Sequence, residues 1–346
     1  MKALVKTGKG KGLIEVRDVP EPVIGDGEVL VEVRACGICG TDLHIYHDEF
    51  PYWPPVILGH EFSGVISAVG RNVAGWAVGD RVVGEPHTMA CGTCYLCRTG
   101  NRQVCPEKRS PGWGIDGAFA PLMRFPEPSL LHRIPDSLSF EAAALVEPLA
   151  NVVTDVVLTQ AVMPGDVVAI AGPGPIGMMA ALTAKYAGAG SVIIIGTDED
   201  EVLRLSLCRT LPAIDHVINI QKDDLDRCVA GVTGGRGVDL FIEASGAAPA
   251  IQTGARIVRK LGTVTAIGLT GKAKIDFPYD AFMMKGIRYL FNLSTKYDSW
   301  DRSIRILDAG VIPHESLITH RGSIEEWHAF FEALLARKAL KGMFLF

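Results

Sequence analysis

From Val167 onward the sequence alternates short apolar runs with helical stretches, and that alternation leaves few folds open. Val167–Ala171, Ser191–Gly196, His216–Asn219, Val238–Glu243, Thr263–Ile267 and Ile287–Phe291 read as strands, with helices such as Ile176–Ala187 and Ile251–Lys260 between them. Parallel neighbours need a crossover and a helix supplies one, so the pattern specifies an α/β chain with a doubly wound parallel sheet. Gly172-Pro173-Gly174-Pro175-Ile176-Gly177 joins the first run to the first helix. Glycines so spaced allow a tight turn, close approach of backbone N–H groups to a pyrophosphate, and close packing of helix on strand. Gly172, Gly174, Pro175, Ile176 and Gly177 are therefore candidate dinucleotide contacts. Asp198, about 20 residues on, stands where an acid accepts hydrogen bonds from an adenosine ribose; it would repel a 2′-phosphate and favour NAD over NADP. Asp198, Glu199 and Asp200 are consecutive, so any of the three could serve, and Arg204 could reach the ribose or pair with these acids.

The first 150 residues read differently. Val29, Val31 and Val33 alternate with polar residues through Glu28–Arg34, the period of a half-buried strand. Phe62–Val69 and Asp80–Val83 follow between glycine-containing turns, which suggests an antiparallel, barrel-like domain. Ala142–Val146 is a helix-forming run expected to stop before Pro148, and Leu149–Ala161 a second helical stretch. A helix over Ser299–Ala309, a short strand near Leu317–Thr319 and an amphipathic helix over Ile324–Ala336 complete the tail. Residues 1–150 and 292–346 are expected to form one domain and residues 151–291 the other. With 48% apolar residues in 346, both can bury a core.

A formal charge of -5 gives no basic face for nucleic acid. The uncharged run Val167–Ala184 is broken by Gly172-Pro173-Gly174-Pro175, which argues against a membrane helix, and Met1–Lys6 lacks the apolar stretch of a signal peptide. Of eight cysteines, Cys91, Cys94, Cys97 and Cys105 crowd together. Clustered CxxC spacing favours a reducing, cytoplasmic setting and metal over disulfides. Four close thiolates fill a tetrahedral zinc and leave no open position, so this site would be structural; an iron–sulfur cluster is the chemical alternative. Cys39, His60 and Glu147 could supply the three ligands of a catalytic zinc, with Glu61 beside it as an exchangeable ligand or base. Cys36 and Cys39 have equally the spacing of a redox pair.

Cys-Gly-Ile-Cys-Gly-Thr-Asp (36–42), Gly-His-Glu (59–61), the cysteine lobe (91–105), Glu147-Pro148-Leu149 and Gly172–Gly177, in this order, resemble the zinc-dependent medium-chain dehydrogenases along essentially the whole chain. The resemblance implies a Rossmann coenzyme domain joined to a catalytic zinc domain. It implies that Cys39, not Cys36, binds the catalytic zinc with His60, and that Glu147 stands where polyol and threonine members place a glutamate. It implies that Glu61 can approach the metal, that Thr41 and His44 carry the proton away, and that Asp42 orients a ligand histidine. Ile267 and Leu269 join the coenzyme contacts. The implied reaction is hydride transfer between a small secondary alcohol (a polyol, sugar alcohol or cyclitol) and NAD, with threonine as the alternative substrate and a dimer or tetramer as the assembly. His47, Phe50, Tyr52, Trp53, Glu85, His87 and Trp113 could line a pocket or serve as core and surface. Two departures stand out: Leu211–Asp215 replaces a glycine-containing turn, and Asp198–Arg204 is one residue longer than usual. Metal analysis should find two zinc ions per chain; one would point to a non-catalytic zinc module and none to a zinc-free reductase.

Overall fold

The computed structural model describes residues 1–159 and 162–346. The chain divides into two units: Met1–Ala150 with Leu293–Phe346, and Asn151–Asn292. Among the described residues, no helix is long and apolar enough to cross a membrane.

Sixteen strands are named in chain order. The first unit holds β1 (Lys2–Lys6), β2 (Ile14–Asp18), β3 (Val29–Gly37), β4 (Val56–Ile57), β5 (Glu61–Val69), β6 (Arg81–Gly84), β7 (Leu122–Phe125) and β8 (Leu131–Arg133). The second holds β9 (Val167–Ala171), β10 (Ser191–Gly196), β11 (His216–Asn219), β12 (Val238–Glu243), β13 (Val258–Ala266) and β14 (Arg288–Phe291). The chain returns to the first unit with β15 (Ile318–Gly322) and β16 (Lys341–Leu345).

In the second unit the strands run parallel in the order β11-β10-β9-β12-β13-β14. β9 is buried along its whole length, as a central strand covered on both faces must be. Its helices lie close on the sheet: a Cβ on Gly254 would come within 2.6 Å of the Phe241 ring. The predicted helix Ile251–Lys260 is corrected here. It spans Ala248–Ile257, because β-branched Val258 is buried and pairs with Val238 at the start of β13.

In the first unit β3 carries most of the pairing. Its alternate valines Val29, Val31 and Val33 are buried. It pairs antiparallel with β5 along its length, with β7 at Val29–Glu32, and with β16 at Ala35–Gly37. A separate sheet has the order β2-β1-β4. The helical run expected over Ala142–Val146 does stop before Pro148 but earlier, as the helix Phe140–Ala143; Pro148 lies in the first turn of the next helix, Val146–Val153, where a missing N–H costs nothing. A π-helical turn, Thr154–Leu158, follows, and Ala161, the expected end of this stretch, lies outside the described residues.

Glu85, just after β6, is buried between two buried histidines, His87 (Nε2 2.5 Å away) and His132 (Nε2 2.9 Å away). His132 stacks on Trp300 of the helix Tyr297–Asp308. Burial would raise the Glu85 pKa, but the hydrogen bonds from His132 and His87 outweigh it and hold it below the ordinary value. A carboxylate depressed in the folded state stabilises above its unfolded pKa and loses that contribution as pH falls through the folded value. Glu85→Gln should therefore cost about 3 kcal/mol at neutral pH, with the gap to wild type closing below about pH 4. Urea unfolding at a series of pH values measures this.

Candidate metal and dinucleotide sites

Cys39 stands between the end of β3 and the helix Gly40–Tyr46, and its backbone N–H donates to Asp42 Oδ2 at 2.8 Å. His60 immediately precedes β5 and Glu61 opens it; Phe62 of this strand pairs with Cys36 and Glu61 with Gly37. The two-strand register thus brings Cys39, His60 and Glu61 together, with one donor atom of each within 4.8 Å of the others. His60 and Glu61 are buried.

The chemistry of this set fits a bound cation. Burial alone would lower the His60 pKa, yet the Cys39 sulfur, as charge and as hydrogen-bond partner, then Asp42 and Glu147, lift it to about 10. The buried Nδ1 of His60 and Oδ1 of Asp42 lie 4.0 Å apart, and neither has a hydrogen-bond partner. Burial raises Asp42 to about 6. Zinc bonds of about 2.0–2.3 Å would place tetrahedral donors roughly 3.3–3.8 Å apart, a spacing that lies inside the 4.8 Å that bounds this set. Glu147 stands outside this tightest trio, on the helix Val146–Val153, but its charge acts on His60, Lys108 and Lys341. The Cys36 thiol is fully buried and pushed up by that burial, and all eight cysteines are free, which disfavours a Cys36–Cys39 redox pair.

Thr41 Oγ1 lies 3.6 Å from Cys39 Sγ, and His44, three residues on, is one-third exposed with Nδ1 3.3 Å from Glu49. Trp113 sets its ring edge-on to His60 at 4.9 Å, and Phe50 sets its own against Trp113 at 5.6 Å. Tyr52 turns inward instead, donating to Asp48 at 2.6 Å. Sequence reasoning missed Lys341, a buried lysine of β16 whose ammonium contacts Glu61 Oε2. The available signal was a lone charge in the apolar stretch Leu340–Leu345.

In the lobe, Cys91, Cys94, Cys97 and Cys105 bring four sulfurs within 4.8 Å of one another. The separations from Cys91 to Cys105 (3.6 Å), Cys91 to Cys97 (4.0 Å) and Cys94 to Cys105 (4.0 Å) bracket the roughly 3.8 Å expected around tetrahedral zinc. Backbone N–H groups of Cys94 and Cys97 point at Cys91 and Cys94 sulfurs, and the former, with Thr93, draws Cys91 down to about 6.

In the second unit each glycine of the dinucleotide loop meets a separate demand. Gly172 has φ +102°, and a Cβ there would lie 2.9 Å from Ser245 N. A Cβ on Gly174 would meet nothing within 4 Å, so its backbone is open to approach. A Cβ on Gly177 would stand 1.8 Å from Gly172 O. Pro175 and Ile176 open the helix Pro175–Tyr186. Asp198 follows β10 and accepts from Asn219 Nδ2 and Lys222 Nζ, both at 2.8 Å. Asp200 is spent on Thr197, whose N–H and Oγ1 it accepts, and on Arg204, which pairs with it at 3.1 Å. Glu201–Leu205 forms a π-helical turn. Ile267 donates its N–H to Glu243 O, and Leu269 is exposed on the loop that follows.

Two family profiles match the chain: "Alcohol dehydrogenase GroES-like domain" over residues 25–136 and "Zinc-binding dehydrogenase" over residues 175–309. The chain is 37% identical to a sorbitol dehydrogenase of Halalkalibacterium halodurans, over 99% of this chain and 98% of that protein. It is 38% identical to an L-threonine 3-dehydrogenase of Pyrococcus horikoshii, over 100% and 98%. A zinc-binding dehydrogenase of Sinorhizobium meliloti, solved bound to NADP, has a TM-score of 0.90 at 30% identity, over 99% and 98% of the two chains. Gly177→Ala should weaken nicotinamide dinucleotide binding by at least about 3 kcal/mol, roughly 100-fold, with zinc content unchanged; fluorescence titration with NADH and metal analysis check both.

Proposed function

Because the chain belongs to the zinc-dependent medium-chain dehydrogenases, we propose that it oxidises a secondary alcohol within a polyol, sugar or cyclitol, with NAD as hydride acceptor. The observation that carries this reading is the convergence of half-buried Cys39 with buried His60 and Glu61, with the Glu147 charge acting on it. Cys39, His60 and Glu147 would hold a catalytic zinc, Glu61 would stand beside it, and Cys91, Cys94, Cys97 and Cys105 would hold a structural one. Zinc so bound supplies Lewis-acid chemistry, lowering the pKa of a hydroxyl as it lowers that of water to about 7.

The chain's own groups supply the rest. Thr41 offers its hydroxyl beside Cys39, and His44 carries the released proton from the same helix face to solvent. Trp113 and Phe50 form an apolar wall that steadies His60 and keeps bulk water from it. Gly172, Gly174, Pro175, Ile176 and Gly177 cradle the pyrophosphate, with Ile267 and Leu269 as further coenzyme contacts. Asp198 is the ribose acceptor, since its side chain is 49% exposed after β10 whereas Asp200 is buried against Thr197 and Arg204.

The sorbitol dehydrogenase relative supports a polyol; the threonine dehydrogenase relative makes threonine the second reading. Assembly as a dimer or tetramer fits the exposed Tyr279, Met283, Met284 and Phe291. The free cysteines fit a cytoplasmic protein. A panel of polyols, sugars and threonine followed by NADH absorbance should show turnover with a polyol or cyclitol, and turnover with threonine alone would overturn the first reading. Asp198→Ala should shift the NAD-to-NADP ratio of kcat/KM toward NADP by about tenfold. Cys39→Ala should abolish turnover while NADH binding stays.

A further inference from the structure

β3 separates β5 from β16, yet a side chain of each meets the other across it. Gly37 of β3 pairs with Glu61 on one side and Met343 on the other, and Lys341 lies two residues before Met343 on the same face. With no side chain at 37, Lys341 Nζ reaches Glu61 Oε2; the two side chains are 6% and 1% exposed. A Cβ at Gly37 would stand 2.3 Å from Glu61 Oε2 and 3.0 Å from Lys341 Cε, so the contact exists only because residue 37 is glycine.

A second cation beside the proposed ligands has a chemical consequence. A buried carboxylate without a partner is drawn to a nearby dication. We propose that Lys341, reaching over Gly37, is a positioning residue that competes with the metal for Glu61 and so keeps a coordination position open for the substrate hydroxyl. This rests on the ligand assignment of the preceding section. Substitution of the lysine frees the Glu61 carboxylate to fill that position.

The test is made on the cobalt-substituted full chain, with Cys39→Ala supplying the spectrum of the lobe alone. Imidazole, which takes an open position on cobalt, is titrated against the visible d–d bands. Lys341→Met should bind imidazole at least about tenfold more weakly than wild type, with shifted bands before any is added, and its KM for the alcohol should rise more than its kcat falls. Lys341→Arg should stay near wild type. Glu61→Gln in the Lys341→Met background should restore imidazole binding, and Gly37→Ala should mimic Lys341→Met. Lys341→Gln, which keeps a polar group and loses the charge, carries the comparison should Lys341→Met fail to fold. Equal imidazole affinity in wild type and the lysine variants, with only a lowered Tm, overturns the proposal and leaves a structural ion pair. No difference between the wild-type and Cys39→Ala spectra overturns the ligand assignment and the proposal with it.

Discussion

The first unit is organised around the cost of burying like charge. Cys39, Asp42, Glu61 and Glu147 bring thiol and carboxyl groups toward one interior point, where each ion taken from water costs several kcal/mol unless it is paired. His60 and Lys341 stand among these groups and answer part of that charge. A dication in the same place would balance the set and release the imidazole as a neutral ligand. The long strand β3 makes the gathering possible, since it pairs with β5 on one side and β16 on the other.

Nothing comparable is needed in the second unit. Its demands are steric: within six residues Gly172 and Gly177 sit against backbone that a Cβ would strike, and the helix that follows starts where Gly174 between them leaves the backbone open. One unit concentrates charge and the other removes bulk, and these are two separate ways of preparing a place for a ligand.

Much of this was legible in the residues. The period of two in Val29–Val33 and the apolar runs from Val167 identify strands because burial on one face or both leaves its mark on composition. The glycine loop and cysteine lobe are local motifs, so their geometry is nearly written in their spacing. What escaped was set by long-range context. Val258–Lys260 has helix-compatible residues but is captured by pairing with Val238. Pro148 reads as a stop until the helix is seen to begin just before it. Lys341 looks like an ordinary lysine until β16 is laid against β3. Nor could the residues alone show that Glu201–Leu205 would widen into a π-helical turn with Arg204 paired to Asp200.

The way β16 joins the sheet also bears on how the chain reaches its native state. Cys39, His60 and Glu61 are close in sequence and can meet early, whereas the strand bearing Lys341 must dock after nearly the entire polypeptide, including all of Asn151–Asn292, has been looped out. Contacts of such high order form late. Closing so long a loop costs chain entropy that the finished sheet must offset, so the strand that completes the sheet also delivers the lysine to Glu61.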